Sequence, residues 1–240
     1  MGIGTWGLRC QGWCQEQKLF LISTAVTSAL LWMHMAAYHP DPHLEDAMDA
    51  VTVINTPEGT GTGFFIDADG CMLTAAHVVV DSSGTVLPVS FRMHGVIGAF
   101  DGVVVAAIKG VDIALICSAV KPKQYLRIAN TEGIKRGTRT YALGDTAGRK
   151  WNLTEGIVSR TGYKEHAVDG EDNVVTRYDI WITNFISWGN SGGPVINDHG
   201  DVIGMVIEWD DPARAGHPNG LNIAVPGTDL IRFLRTAHGE

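Results

Sequence analysis

From about Met48 onward, apolar and polar positions fall into short runs broken by turn residues. Ala50 to Asn55 is β-branched and alternates. Gly63 to Asp67 is apolar, Asp67 to Gly70 has the composition of a hairpin turn, and Cys71 to Thr74 resumes as a strand. The same pattern predicts strands at Val86 to Phe91, Val103 to Ile108, Ile113 to Cys117, Thr138 to Leu143, Thr154 to Ser159 and Tyr178 to Thr183. It continues at Val195 to Asn197, Val202 to Ile207 and Ile223 to Val225. Gly162 to Asn173 is polar, acidic and glycine-containing, and reads as a long surface loop. One stretch, Thr228 to Thr236, has helical spacing, with a Thr N-cap, Asp229 in its first turn and apolar Leu230, Ile231, Phe233 and Leu234. Many short strands with glycine-rich turns predict a sandwich or a closed barrel.

The N-terminal part follows a different rule. Leu19 to Tyr38 contains no Asp, Glu, Lys or Arg in 20 residues, the length that spans a hydrocarbon core. Lys18 and Arg9 precede it; Asp41, Glu45, Asp46 and Asp49 follow it. That asymmetry puts the N-terminus in the cytoplasm and everything after Tyr38 outside. Three readings stay open: an uncleaved signal anchor, a signal peptide cut near Ala36 or Ala37, and a buried amphipathic helix. The first two export the rest of the chain, and the first makes the membrane a partner through Leu19 to Tyr38. The organisation expected is a tail over 1–18, an anchor or signal segment over 19–38, a linker over 39–47 and one main domain over 48–240.

Composition narrows the main domain. Apolar residues make up 45% and charged residues 18% of 240, enough for a packed core, which excludes a disordered or fibrous chain. A net charge of −8 with no Lys/Arg run excludes a nucleic-acid footprint. Four cysteines are too few for a disulfide scaffold. Cys71 and Cys117 fall in strand-like runs and read by default as buried small side chains, with a disulfide between them open to an exported protein. His39 and His43 are four apart, but Pro40 and Pro42 argue against a helix there, so no metal site is expected.

The candidate chemistry lies in Ser187-Trp-Gly-Asn-Ser-Gly-Gly-Pro-Val195. A serine among glycines can sit on a sharp turn with its Oγ exposed, and nearby backbone N–H groups can converge on an oxyanion. The segment also fits G-x-S-x-G, the nucleophile elbow of α/β-hydrolases. That fold needs its acid and histidine downstream of the serine on an alternating strand–helix sheet. Here the candidates lie upstream: His77 in Leu73-Thr-Ala-Ala-His-Val-Val79, at the end of an apolar strand, and Asp112 in Gly110-Val-Asp-Ile-Ala-Leu-Ile116, just before another.

These motifs, in this order, resemble the trypsin-like (chymotrypsin-fold) serine proteases, most closely the HtrA/Deg branch. The similarity runs from about Ala50 to Leu234. Thr60 to Ile66 resembles the opening G-S-G-F strand, Ala142-Leu-Gly-Asp145 the A-I-G-N turn, Thr154 to Ser159 the strand entering the activation loop, and Gly220 to Pro226 the final strand. The resemblance implies an all-β fold of two six-stranded antiparallel barrels with a short C-terminal helix, here preceded by the N-terminal hydrophobic helix.

The resemblance also implies roles. Ser191 is the nucleophile, His77 its base and Asp112 the orienting acid. Gly189, Asn190 and Ser191 form the oxyanion hole. Phe185, Ile186, Met205, Val206, Ile207 and Glu208 lie near the primary pocket, whose apolar character suits a small or medium apolar side chain. No cofactor is needed, and the partner is a protein or peptide substrate. Asn190 cannot make the ion pair that an Asp there makes with a new N-terminus, so no zymogen cleavage is expected, and activity would depend on ordering of Gly162 to Asn173. Fourteen residues follow Pro226, which leads to the expectation of a protease domain without a PDZ module. A homotrimer, common in that family, is one assembly open to the chain. An esterase and a catalytically silent binding module are the competing functions.

Overall fold

The computed structural model describes residues 42–168, 174–208, 220–237 and 239. Leu19 to Tyr38, Cys10, Cys14 and His39 lie outside the described residues. Among those described, no helix is long and apolar enough to cross a membrane.

Helix α1 (Pro42–Met48) leads into strands β1 (Val51–Thr56), β2 (Gly59–Phe65), β3 (Cys71–Thr74), β4 (Val89–Met93), β5 (Phe100–Ile108) and β6 (Ile113–Cys117). These close into a barrel in the order β1-β2-β3-β6-β5-β4, all pairs antiparallel. The second barrel uses β7 (Arg139–Thr146), β8 (Arg149–Val168), β9 (Val174–Ile182), β10 (Pro194–Ile196), β11 (Val202–Glu208) and β12 (Asn222–Pro226). Its order is β10-β11-β12-β9-β8-β7. A one-turn helix, α2 (Ala76–Val79), interrupts the first barrel, and α3 (Gly227–Ala237) closes the described chain. The expected pair of six-stranded barrels with a C-terminal helix is therefore present. Closure pairs each strand on both sides within its barrel, removing the free edges that an all-β chain must otherwise protect.

One apolar core joins the barrels. Phe64, Phe65, Phe91 and Ile116 of the first barrel share it with Leu143, Ile196, Met205 and Val225 of the second and with Phe233 of α3. A smaller core, including Val158, Ile182, Val195 and Val206, fills the second barrel. Each large side chain so buried contributes roughly 1.5–3 kcal/mol.

Four local expectations change. Pro42 opens α1 instead of forbidding it, because at the first helical position its missing N–H is not required. His77 is carried by α2, just past the end of the strand that was expected to hold it. Gly162 to Val168 is not loop: it continues β8 and pairs with β9 from Tyr163↔Asp179 to Val168↔Val174. This two-stranded stretch pairs with no third strand, so the sequence shows no apolar alternation there. Finally, Cys71 and Cys117 are directly opposed across β3 and β6 and are joined by a disulfide. It bridges a sequence separation of 46, worth roughly 4 kcal/mol of denatured-state entropy by loop closure. The double variant Cys71→Ala/Cys117→Ala is expected to lose about 2–4 kcal/mol of stability, measurable by calorimetry against the oxidised protein.

Candidate active site

Antiparallel pairing brings the acid to the base. Thr74 of β3 faces Ala114 of β6, so residues just after Thr74 lie beside those just before Ala114. His77 and Asp112 are those residues. The Asp112 carboxylate accepts two hydrogen bonds from His77, one from the backbone N–H to Oδ1 (2.9 Å) and one at ring Nδ1 to Oδ2 (2.7 Å). With Nδ1–H as the donor, Nε2 is the unprotonated ring nitrogen, the one that can act as an acceptor. Asp112 has φ 57°, a left-handed conformation that aspartate and asparagine tolerate better than most residues. Its side chain is 16% exposed against 48% for His77, so the acid is shielded and the base faces the open.

Ser191 belongs to the loop joining β9 to β10. This loop is pinned by both barrels. The Ser191 carbonyl accepts the N–H of Thr62 on β2 (2.8 Å). Gly192 N–H donates to Val206 O (2.7 Å), and Val206 N–H donates to Gly193 O (2.9 Å). Gly192 has φ 85°, and a Cβ on it would fall 2.2 Å from Thr62 O, so no other residue fits. Ser191, Gly189, His77 and Val78 line one cleft of about 250 Å³ together with Trp188 and the β1–β2 turn.

The candidate oxyanion donors are set by carbonyls held elsewhere. Ala147 N–H takes the carbonyl of Trp188 (3.0 Å), and Thr62 Oγ1 donates to the carbonyl of Gly189 (2.7 Å). A planar trans peptide then turns the Gly189 N–H away from the Trp188 carbonyl. Gly189 has φ 93°, which glycine alone adopts freely. Neither Gly189 N–H nor Ser191 N–H meets an acceptor among the described residues. The Asn190 N–H, expected in the same group, donates to Ser187 O (3.2 Å). The buried Asn190 side chain accepts the Ser187 N–H at Oδ1 (3.2 Å) and braces the turn.

The expected pocket residues separate. Phe185 is 69% exposed, whereas Ile186, Met205, Val206 and Ile207 are buried in the cores. Strand β11 is covered on both faces, one by the inter-barrel core and the other by the second barrel. Its side chains therefore serve packing, and the Val206 backbone anchors the serine loop. The Glu208 side chain lies outside the described residues.

Two contributors were not recognised in the sequence. Thr62 is fully buried, and besides the bonds above its Oγ1 accepts the Asp145 N–H (3.0 Å) and its carbonyl accepts Thr74 Oγ1 (2.7 Å). Thr60 of the same strand also sits between two glycines, so residue type alone did not single out Thr62. Thr62→Val keeps the shape and leaves the Gly189 carbonyl and Asp145 N–H without their partner. We expect a fold close to that of the parent and a kcat lower by about 10–100-fold, read in steady-state kinetics beside a thermal melt.

The second is Asp145, 1% exposed, with Oδ1 lacking a hydrogen-bond partner among the described residues. Burial pushes its carboxyl above the usual carboxylate range, while Lys150 and the Gly148 N–H pull it back. The folded state thus binds this proton more tightly than the unfolded chain does. The contribution to stability is complete below the unfolded value and is lost as pH rises through the folded one. Asp145→Asn is therefore expected to raise the thermal midpoint at neutral pH, with the gain fading toward acid. Melts of both proteins across pH check this.

Residues 61–205 match the family described as Trypsin-like peptidase domain. Serine protease HTRA1 of Xenopus tropicalis is 30% identical over 187 residues, 77% of this chain and 37% of that protein. The Probable periplasmic serine endoprotease DegP-like of Ectopseudomonas mendocina is 31% identical over 169 residues, 70% of this chain and 33% of its own length. The chain thus spans little more than a third of these relatives. Among solved structures, the active form of the Rv3671c protease from M. tuberculosis superposes with TM-score 0.68 at 25% identity, over 81% of this chain and 83% of that one. The HtrA-type protease AlgW with tripeptide gives TM-score 0.70 at 22% identity, over 82% and 64%.

Proposed function

The chain belongs to the trypsin-like peptidase family, and from that premise we propose that it is an exported HtrA/DegP-like serine endopeptidase using Ser191, His77 and Asp112. The observation that carries the reading is the paired acceptance of His77 backbone and ring N–H groups by Asp112.

The chemistry follows from those bonds. A serine hydroxyl is a weak nucleophile and needs a base as it attacks. His77 takes the Ser191 proton at Nε2, and Asp112 stabilises the imidazolium that forms. The carbonyl oxygen of the scissile bond gains negative charge and is met by the N–H groups of Gly189 and Ser191. His77 then returns the proton to the leaving amine, and water repeats the sequence on the acyl-enzyme. The exposed aromatic side chain of Phe185 supports a preference for a small or medium apolar residue before the scissile bond.

Export is supported by the Cys71–Cys117 disulfide, since such bonds persist in oxidising compartments, and by the periplasmic relatives. In this reading Leu19 to Tyr38 holds the domain at the outer face of the membrane as a signal anchor.

One experiment tests the assignment: fluorophosphonate labelling and cleavage of unfolded casein by the parent and by Ser191→Ala. Ser191-dependent labelling with casein cleavage is the expected result. Absence of Ser191-dependent labelling refutes an enzyme. Labelling with ester but no peptide turnover makes the protein an esterase.

A further inference from the structure

The cleft beside Ser191 carries a feature that the chemistry above does not use. His77, Val78, Trp188 and Gly189 line it together with Glu58 of the β1–β2 turn. Phe185, Ile186, Met205, Val206 and Ile207, expected on the acyl side, are not among its lining residues.

The direction of the reaction orients this space. The leaving amine must stay within reach of His77 while the carbonyl oxygen stays at the Gly189 N–H. A cleft bounded by both groups and by Ser191 therefore receives the chain that follows the scissile bond.

Glu58 is the one residue of fixed charge lining this cleft, and it is exposed on the turn between β1 and β2. Trp188 leaves 55% of its surface in solvent, an exposure that core packing does not account for. The Trp188 backbone carbonyl accepts the Ala147 N–H, and the ring edge lies beside Gly148 of the β7–β8 turn. An exposed aromatic face and a carboxylate lining one cleft are complementary to a long cationic side chain. Its stem packs on the indole and its head meets the carboxylate. A planar guanidinium suits both better than an ammonium does.

We infer that Glu58 and Trp188 form a leaving-side subsite that selects substrates with arginine, and secondarily lysine, at the first or second position after the scissile bond. This rests on the peptidase reading and adds its substrate class.

The test uses quenched peptides identical before the scissile bond and carrying Arg, Lys, Ala or Glu at each of the two positions after it. The parent, Glu58→Gln, Glu58→Lys and Trp188→Leu are compared by the ratio of kcat/KM values within each protein. Fluorophosphonate labelling of Ser191 is run in parallel. In the parent, Arg should exceed Ala by about tenfold at one position, with Lys between them and Glu lowest. Glu58→Gln should bring the Arg-to-Ala ratio down to about twofold, Trp188→Leu should lower it by a smaller factor, and Glu58→Lys should favour Glu. A parent that is labelled and cleaves all the peptides equally overturns the subsite alone. So does an arginine preference that survives both Glu58→Gln and Trp188→Leu. A parent with no labelling at Ser191 overturns the peptidase reading itself.

Discussion

Replacing Ser191 by Ala should lower kcat by about 10⁶-fold, the scale on which serine hydrolases lose activity without their nucleophile. The fold should be unaffected, for a reason visible in the hydrogen bonds. The Ser191 carbonyl, not its hydroxyl, ties the loop to Thr62, and Ala keeps that carbonyl. The close contacts that exclude a side chain belong to Gly192, not to its neighbour. Residual activity should come from the Gly189 and Ser191 N–H groups and from substrate binding alone. Peptide kinetics together with a thermal melt separate these effects. An unchanged midpoint with kcat reduced by less than about a hundredfold would move the nucleophile elsewhere.

Asp112→Asn is expected to cost about 10⁴-fold in kcat with little change in stability. Asparagine is chosen because it tolerates the φ of 57° that Asp112 adopts. It also keeps an acceptor for the His77 backbone N–H, so α2 remains docked. What changes is the group facing Nδ1. An amide nitrogen there donates a proton and drives His77 to the tautomer protonated at Nε2, which cannot accept from Ser191. Asp112→Ala would confound the result, because alanine in a left-handed conformation adds backbone strain. Rates of peptide turnover and of fluorophosphonate labelling should fall together. A loss of under tenfold would mean that Asp112 only positions the ring.

The strands were legible where a barrel covers them. Ile113 to Cys117 reads as buried and is buried from Ile113 to Leu115 and at Ile116, because β6 faces core on both sides. Where a ribbon pairs only with itself, as at Tyr163 to Val168, nothing constrains the apolar pattern, and composition alone suggested a loop. Ser191, His77 and Asp112 could be proposed because their motifs have fixed neighbours. Their support could not. Thr62 acts through hydrogen bonds to residues 127 and 83 positions away, and no local pattern reports such a partner. The resemblance placed Phe185, Ile186 and Met205 to Glu208 near the primary pocket, and packing buries the side chains of Met205, Val206 and Ile207 in the two cores.

The disposition of base and nucleophile has a consequence for engineering. His77 and Asp112 belong to the first barrel and Ser191 to the second, and the chain passes between them once, through the segment from Ser118 to Thr138. On the proposed assignment, neither half holds a complete set of reacting groups. A protein nicked in that segment is thus a two-part reagent whose turnover reports the reassembly of its halves, and fusing each half to one member of an interacting pair would convert proteolysis into a proximity signal.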